Sequence, residues 1–267
     1  MSIFRRGKKW KIALIVIIAV IALFGFAEII KEERQLIIVQ KPGQETIVKD
    51  SQIKQIIKEI ERIKASVSGN INKKISIVLD VPFTTQAPGG DWQDQRLQNG
   101  CEEAAVLMAM KWVKGETLTE QAAKPIILAM ADWEIAKYGS DTDTSAEDTA
   151  NRLIKGYFKY DKVSVQKLTD SQQIVKELEA GHLVLIPTNG QDLHNPYYKQ
   201  PGPTTHMLVI RGYSPTSDEF ITNDPGTKRG EKYRYSAKVL MAASVDYPTG
   251  DHLPQDKTKK AIIIITR

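Results

Sequence analysis

Cysteine is nearly absent from this chain. Cys101 is the only one in 267 residues, so no intrachain disulfide can form. Histidine is scarce too: His182, His194, His206 and His252 are the full set. No two of them, with or without Cys101, stand at metal-ligand spacing, so no zinc site is expected. The stretch DTDTSAED has the acids of a calcium loop but lacks its glycine, and Arg152 occupies the twelfth position. A basic surface is lacking as well. The formal net charge is +5, but Arg5, Arg6, Lys8, Lys9 and Lys11 all fall in the first eleven positions. The other 32 basic residues balance the 32 acidic ones, and no basic patch interleaved with aromatics follows, so nucleic acid is not an expected partner. No repeat of about 20–50 residues is present.

Long hydrophobic runs are lacking except for one. Ile12–Ala27 reads IALIVIIAVIALFGFA without a charge. With Trp10 before it and Ile29-Ile30 after it, the run approaches the ~20 residues that span a bilayer. The basic cluster of residues 1–11 is then a cytoplasmic tail, residues 12–30 a single-pass anchor, and the remainder lies outside. The rival is a cleaved signal peptide, for which Gly25-Phe26-Ala27 supplies small residues. Both readings put residues 31–267 outside the cytoplasm.

Residues 31–74 read as a stalk or linker. LIIVQ has the form of a short strand before Pro42-Gly43. In SQIKQIIKEIERIKASV, Ile53, Ile56, Ile57, Ile60, Ile63 and Val67 recur at spacings of three and four, which predicts an amphipathic helix. Its narrow stripe suits docking or a short stalk; a homodimer through this helix is the sharper alternative. From residue 75 the texture changes. ISIVLDVPF predicts a strand that stops at Pro82, and TTQAPGGDW a loop. Glu102–Lys114 predicts a helix with a broad apolar face, residues 117–139 a second helix with Pro125 near its start, and DSQQIVKELEAGH a further helix ending at Gly181. Thr144-Ser145-Ala146-Glu147 has the form of a capping box opening a helix to about Lys155. LVLIPTN, HMLVIRGYS, DEFITND, YRYSA and AIIIITR predict strands, the middle pair a hairpin around PTSD. Helices come first and strands dominate later, which implies an α+β domain over residues 75–267 with an antiparallel sheet.

Chemistry centres on Cys101. An extracellular protein usually pairs its cysteines, so a single one is a packed small side chain, an intermolecular link, a lipid site or a reactive thiol; Cys101 lies 74 residues beyond Ala27, too far from the anchor for a lipid site. Asn99-Gly100 forms a turn, and the helix opens at Cys101. Unpaired N–H groups at a helix start stabilise a thiolate, while Glu102 and Glu103 oppose it. A nucleophilic cysteine needs a base. His182 follows a helix-ending glycine, and His194 and His252 lie in polar loops; only His206 opens an apolar strand. If the hairpin turn centres near Thr216, residue 224 faces 208, and Asp224 lies diagonally from His206 on one face. Asn223 then faces away. Read alone, TNDPG is ordinary turn chemistry. Gln86, in the Gly/Pro-rich loop, could join the Cys101 N–H in holding an oxyanion.

Taken in order, LDVPFTTQAP, GCEEAAVLMAMKW, THMLVIRGY and TNDPG resemble the bacteriocin-processing (double-glycine) peptidase-like domains of the papain-like cysteine peptidases. The resemblance covers about residues 75–267. It implies a papain-like α+β fold with a helix packed on an antiparallel sheet, and a bacterial source. It assigns Gln86 to the oxyanion hole, Cys101 as nucleophile, His206 as base and Asp224 as the group that orients it. A peptide or protein is the implied substrate, and no cofactor is implied. The chain departs from exporter-coupled members, which are cytosolic and carry an ATPase. The expectation is a membrane-anchored extracytoplasmic cysteine peptidase. The alternative is a non-catalytic module of the same fold that binds peptides or cell-wall components.

Overall fold

The computed structural model describes residues 40–41, 44–45, 54–55, 57–63 and 76–267. The expected anchor and the linker after residue 63 lie outside these residues. Among the described residues, no helix is long and apolar enough to cross a membrane. The chain divides into two units, Met1–Lys64 and Ala65–Arg267. In the first, strands β1 (Gln40–Lys41) and β2 (Gln44–Glu45) pair antiparallel. Residues 54–55 and 57–63 are helical, within the stretch expected to be an amphipathic helix.

The second unit is an α+β domain. Its strands are β3 (Ile77–Val78), β4 (Val163–Lys167), β5 (Leu183–Thr188), β6 (His206–Ser214), β7 (Glu219–Asn223), β8 (Tyr233–Ser236) and β9 (Ala261–Ile265). They form one sheet in the order β4-β9-β5-β6-β7-β8, with β3 also on β6, and every pairing is antiparallel. Its helices are α1 (Gln95–Gln98), α2 (Cys101–Lys114), α3 (Glu120–Tyr138), α4 (Ala146–Thr149), α5 (Ser171–Glu179) and α6 (Ala237–Ala243). A π-helical segment, Ala150–Tyr157, continues α4.

Packing explains why the central strands read as unbroken apolar runs. Leu183, Leu185, Met207, Val209, Ile263 and Ile265 join the core that contains α2. Alternate residues Val184, Ile186, Leu208, Ile210, Ile262 and Ile264 join a second core with Ile174 and Leu178 of α5 and Leu240 of α6. Layers cover both sheet faces, so alternation with polar residues is lost.

α2 is buried almost all round, and Gly115 in the left-handed region ends it. Its Glu103 meets Glu134 of α3, and neither Glu103 oxygen has a conventional hydrogen-bond partner. Burial pushes the Glu103 carboxyl well above the usual range, and Glu134 to about 8. Two buried acids that face each other are stable when a proton lies between them.

Two expectations are corrected, and a third, the hairpin register, holds at the site end with a bulge nearer the turn. The cap of α4 is Ser145, whose hydroxyl accepts from the Asp148 N–H, one residue later than expected; the Thr144 hydroxyl bonds Thr149 instead. Only Ile77 and Val78 of the ISIVLDVPF segment pair as a strand; the Leu79 N–H still reaches the Arg211 carbonyl at 2.7 Å, and side chains take the carbonyls beyond. Arg211 donates to the Leu79 and Val81 carbonyls, and Asn223 to those of Val81 and Pro82. The hairpin register also changes along its length. Val209 faces Asn223 and Ile210 faces Thr222, but Gly212 faces Ile221, so Arg211 sits in a bulge.

Candidate active site

The start of β6 and the end of β7 bring the first pair together. His206 Nε2 lies 2.8 Å from Asp224 Oδ1, with the two side chains 1% and 0% exposed. Asp224 accepts from four further donors. The Gly226 N–H reaches Oδ1 at 3.0 Å; Oδ2 takes the Tyr198 hydroxyl at 2.6 Å, the Tyr235 hydroxyl at 2.6 Å and the Asn195 amide at 3.0 Å. Burial alone would raise the carboxyl's pKa. Attraction to the His206 ring and its hydrogen bond, with the hydrogen bonds from Tyr198 and Tyr235, override burial and hold it below the usual carboxylate range. The two tyrosines are pushed up, first by burial and then by the Asp224 charge, so they stay protonated donors.

This network fixes the tautomer. An ionised Asp224 takes the Nε2–H, which leaves Nδ1 as an acceptor. Tyr198 packs edge-on to the imidazole with ring centroids 5.5 Å apart. A side chain at Gly226 would meet the ring at 3.0 Å, so glycine lets the TNDPG turn close over it. Asn223 turns away, as expected, and binds the Val81–Pro82 segment that leads to Gln86.

Cys101 opens α2 and lines the same cleft as His206. Its thiol does not bond the imidazole. Sγ–H donates to Glu102 Oε2 at 2.9 Å, and Glu102 Oε1 accepts from the Tyr247 hydroxyl at 2.8 Å and the Thr144 N–H at 3.2 Å. Burial, then the Glu102 charge, pushes the thiol well above its usual range. The helix-start argument for a thiolate is therefore outweighed in this state by desolvation and the adjacent carboxylate.

The two expected oxyanion donors are also engaged. Gln86 Nε2 donates to the Gln98 carbonyl at 2.7 Å and the Leu97 carbonyl at 3.2 Å, and the Cys101 N–H to the Asn99 carbonyl at 2.9 Å. Gln86 here braces the turn that presents Cys101. Of the four residues singled out in the sequence, Gln86, Cys101 and His206 line one cleft and Asp224 is buried against His206; only His206 and Asp224 are directly bonded.

The cleft encloses about 990 Å³. Trp92 and Tyr197, 43% and 45% exposed, stand among its lining residues, with several glutamines. His252, in its polar turn, also lines it. Its Nδ1 lies 2.9 Å from Asp143 Oδ2, and Asp143 Oδ1 accepts from the Thr205 hydroxyl at 2.6 Å. Asp143 thereby ties the residue before His206 to the loop at 250–252. No signal in the sequence joined these three segments. Nor did one mark Asn195, Tyr198 or Tyr235, which converge through a loop and an edge strand. Among the described residues, no cluster of His, Cys, Asp and Glu is arranged to hold a metal ion.

A helix that presents a cysteine beside an antiparallel sheet bearing a His–Asp pair defines the domain as cysteine-peptidase-like. Residues 78–247 match the Peptidase_C39 like family, and the chain belongs to it. Among solved structures, it is similar to a chain described as a C39-like peptidase from Bacillus anthracis. Identity is 16% and the TM-score 0.42, over 73% of this chain and 99% of that one. No curated protein matches it.

Proposed function

We propose that this protein is a thiol peptidase that cleaves peptide amide bonds with Cys101 as nucleophile. The observation that carries the reading is the His206 imidazole, locked by Asp224 through Nε2, at a cleft that Cys101 also lines. His206 Nδ1 takes the thiol proton as sulfur attacks the carbonyl carbon, and the protonated ring then gives that proton to the leaving amine. Water hydrolyses the thioester, with His206 again as base. Release of Gln86 Nε2 from the Leu97 and Gln98 carbonyls, and of the Cys101 N–H from Asn99, supplies donors for the oxyanion. Asp224 holds the ring and supports its charge, as in other nucleophile–base–orienter arrangements.

The apolar run Ile12–Ala27 and its basic flank support an anchored protein with the catalytic domain outside the cytoplasm. A peptide-library digest by the full-length chain tests the activity. Cleavage by the native protein and none by Cys101→Ala is expected. Equal cleavage by both would remove Cys101 from the chemistry. Binding of library peptides without cleavage by either protein would favour a binding module instead.

A further inference from the structure

The structure leaves one buried group at the reacting sulfur without a part in the mechanism above. Glu102 is 2% exposed and sits beside the nucleophile in sequence, yet its carboxylate folds back onto the thiol. All three of its polar contacts, the Cys101 thiol, the Tyr247 hydroxyl and the Thr144 N–H, are donors. Such a set fits an ionised carboxylate, because a protonated one would itself need an acceptor. Tyr247 is fully buried and Thr144 donates from the main chain, so Glu102 cannot turn away without stranding both.

We propose that Glu102 is the resting acceptor of the Cys101 thiol proton: it holds the sulfur protonated and off the His206 base until a substrate enters the cleft. The inference rests on Cys101 being the nucleophile. On substrate entry the thiol rotates from Glu102 Oε2 to His206 Nδ1. The S–H bond breaks there, the proton passes to Nδ1, and the sulfur electron pair forms the bond to the substrate carbonyl carbon as the C=O π pair moves onto oxygen. Glu102 keeps its two other donors and neither gains nor loses a proton. It is a positioning residue that suppresses reaction of the unoccupied enzyme. A protonated thiol resists oxidation and alkylation, so the device protects an extracytoplasmic cysteine between turnovers.

Other charges face this pair. Asp143, from the loop before α4, acts on both Cys101 and Glu102. Tyr247 comes from the segment after α6, and the Met207 main chain of β6 acts on the thiol in the opposite sense, lowering its pKa. Glu103 and Glu134 feel the Glu102 charge from the far side, and Asp141 also acts on them. Of these groups, Glu102 alone holds a side-chain hydrogen bond to the thiol, so its charge is the one to remove.

The test is the pH profile of iodoacetamide alkylation, followed by intact mass on the full-length chain without substrate, for the native protein and Glu102→Gln. Cys101 is the only thiol, so the label is unambiguous. The profile of Glu102→Gln is expected to move down by about one pH unit, making alkylation near pH 7 about tenfold faster. An unmoved profile, or an upward shift, would overturn the proposal. Should Glu102→Gln not fold, ultraviolet titration of the native thiolate decides: a midpoint at or below the free-thiol value of about 8.5 overturns the proposal. Neither readout requires turnover. If Cys101→Ala still cleaved peptides, the proposed function would fail while the alkylation profile still reported on Glu102.

Discussion

His206 and Asp224 are joined across two strands at 2.8 Å, and Asp224 carries four more hydrogen bonds that hold it still. The orienting carboxylate is thus itself oriented, by two tyrosines, an asparagine and a main-chain N–H. In Asp224→Ala the ring loses the acceptor that holds its tautomer and orientation. kcat is expected to fall on the order of 10³–10⁴-fold with KM little changed. Steady-state kinetics on a cleaved library peptide checks this.

Tyr198→Phe and Tyr235→Phe each remove one donor to a buried charge. Each is expected to lower stability by about 1.5–3 kcal/mol in urea unfolding. The acid limb of stability carries the sign. The Asp224 carboxyl lies below its usual value of 3.8 when folded. Its stabilisation is present above that value and is lost as pH falls through the folded pKa. Both variants bring that loss to higher pH, as unfolding midpoints measured across the acid range would reveal.

The Glu103–Glu134 pair has the opposite sign. Folding raises the Glu134 pKa from 4.5 to about 8, so the folded state holds a proton the unfolded state releases. Stability is greatest below the unfolded pKa and declines as pH rises toward 8. Glu134→Gln keeps the site neutral and lets an amide donate to Glu103. It is expected to flatten that decline, gaining on the order of 1–3 kcal/mol near pH 8 relative to its effect at pH 5. Thermal unfolding at the two pH values checks it.

Gly226→Ala places a methyl 3.0 Å from the imidazole and from the Tyr198 ring. Its main effect is to tilt His206, so kcat is expected to fall about 10–100-fold by misplacement of the base. Circular dichroism should stay native. A variant with native kcat would show that the ring is not held by this contact.

Much of this site was legible because its chemistry sits at element boundaries. Cys101 opens a helix after Asn-Gly, His206 opens a strand, and Asp224 follows the next one. The 208–224 alignment follows from the site-end pairs Val209–Asn223 and Ile210–Thr222. The bulge at Arg211 shifts only the turn end of the hairpin, so it spares the alignment beside His206. What the sequence hid depends on long-range contacts. Arg211 and Asn223 anchor the segment before Gln86, and Asp143 reaches across to Thr205 and His252. Nor could spacing reveal that Glu102 turns back onto the thiol. A first-turn acid is ordinary helix chemistry until burial removes its solvent. Strand β4 escaped because all five of its residues are polar or half exposed, on a sheet edge.

The central claim is that the thiolate of Cys101 attacks a substrate carbonyl. Trapping the acyl-enzyme tests it most directly. An activated ester of a cleaved library peptide, mixed with the full-length protein and quenched in acid, should give one mass adduct equal to the acyl group. Peptide mapping should place it on Cys101, and Cys101→Ala should carry none. Product release by the native enzyme with no adduct at any time after mixing, or an equal adduct on Cys101→Ala, would contradict the account.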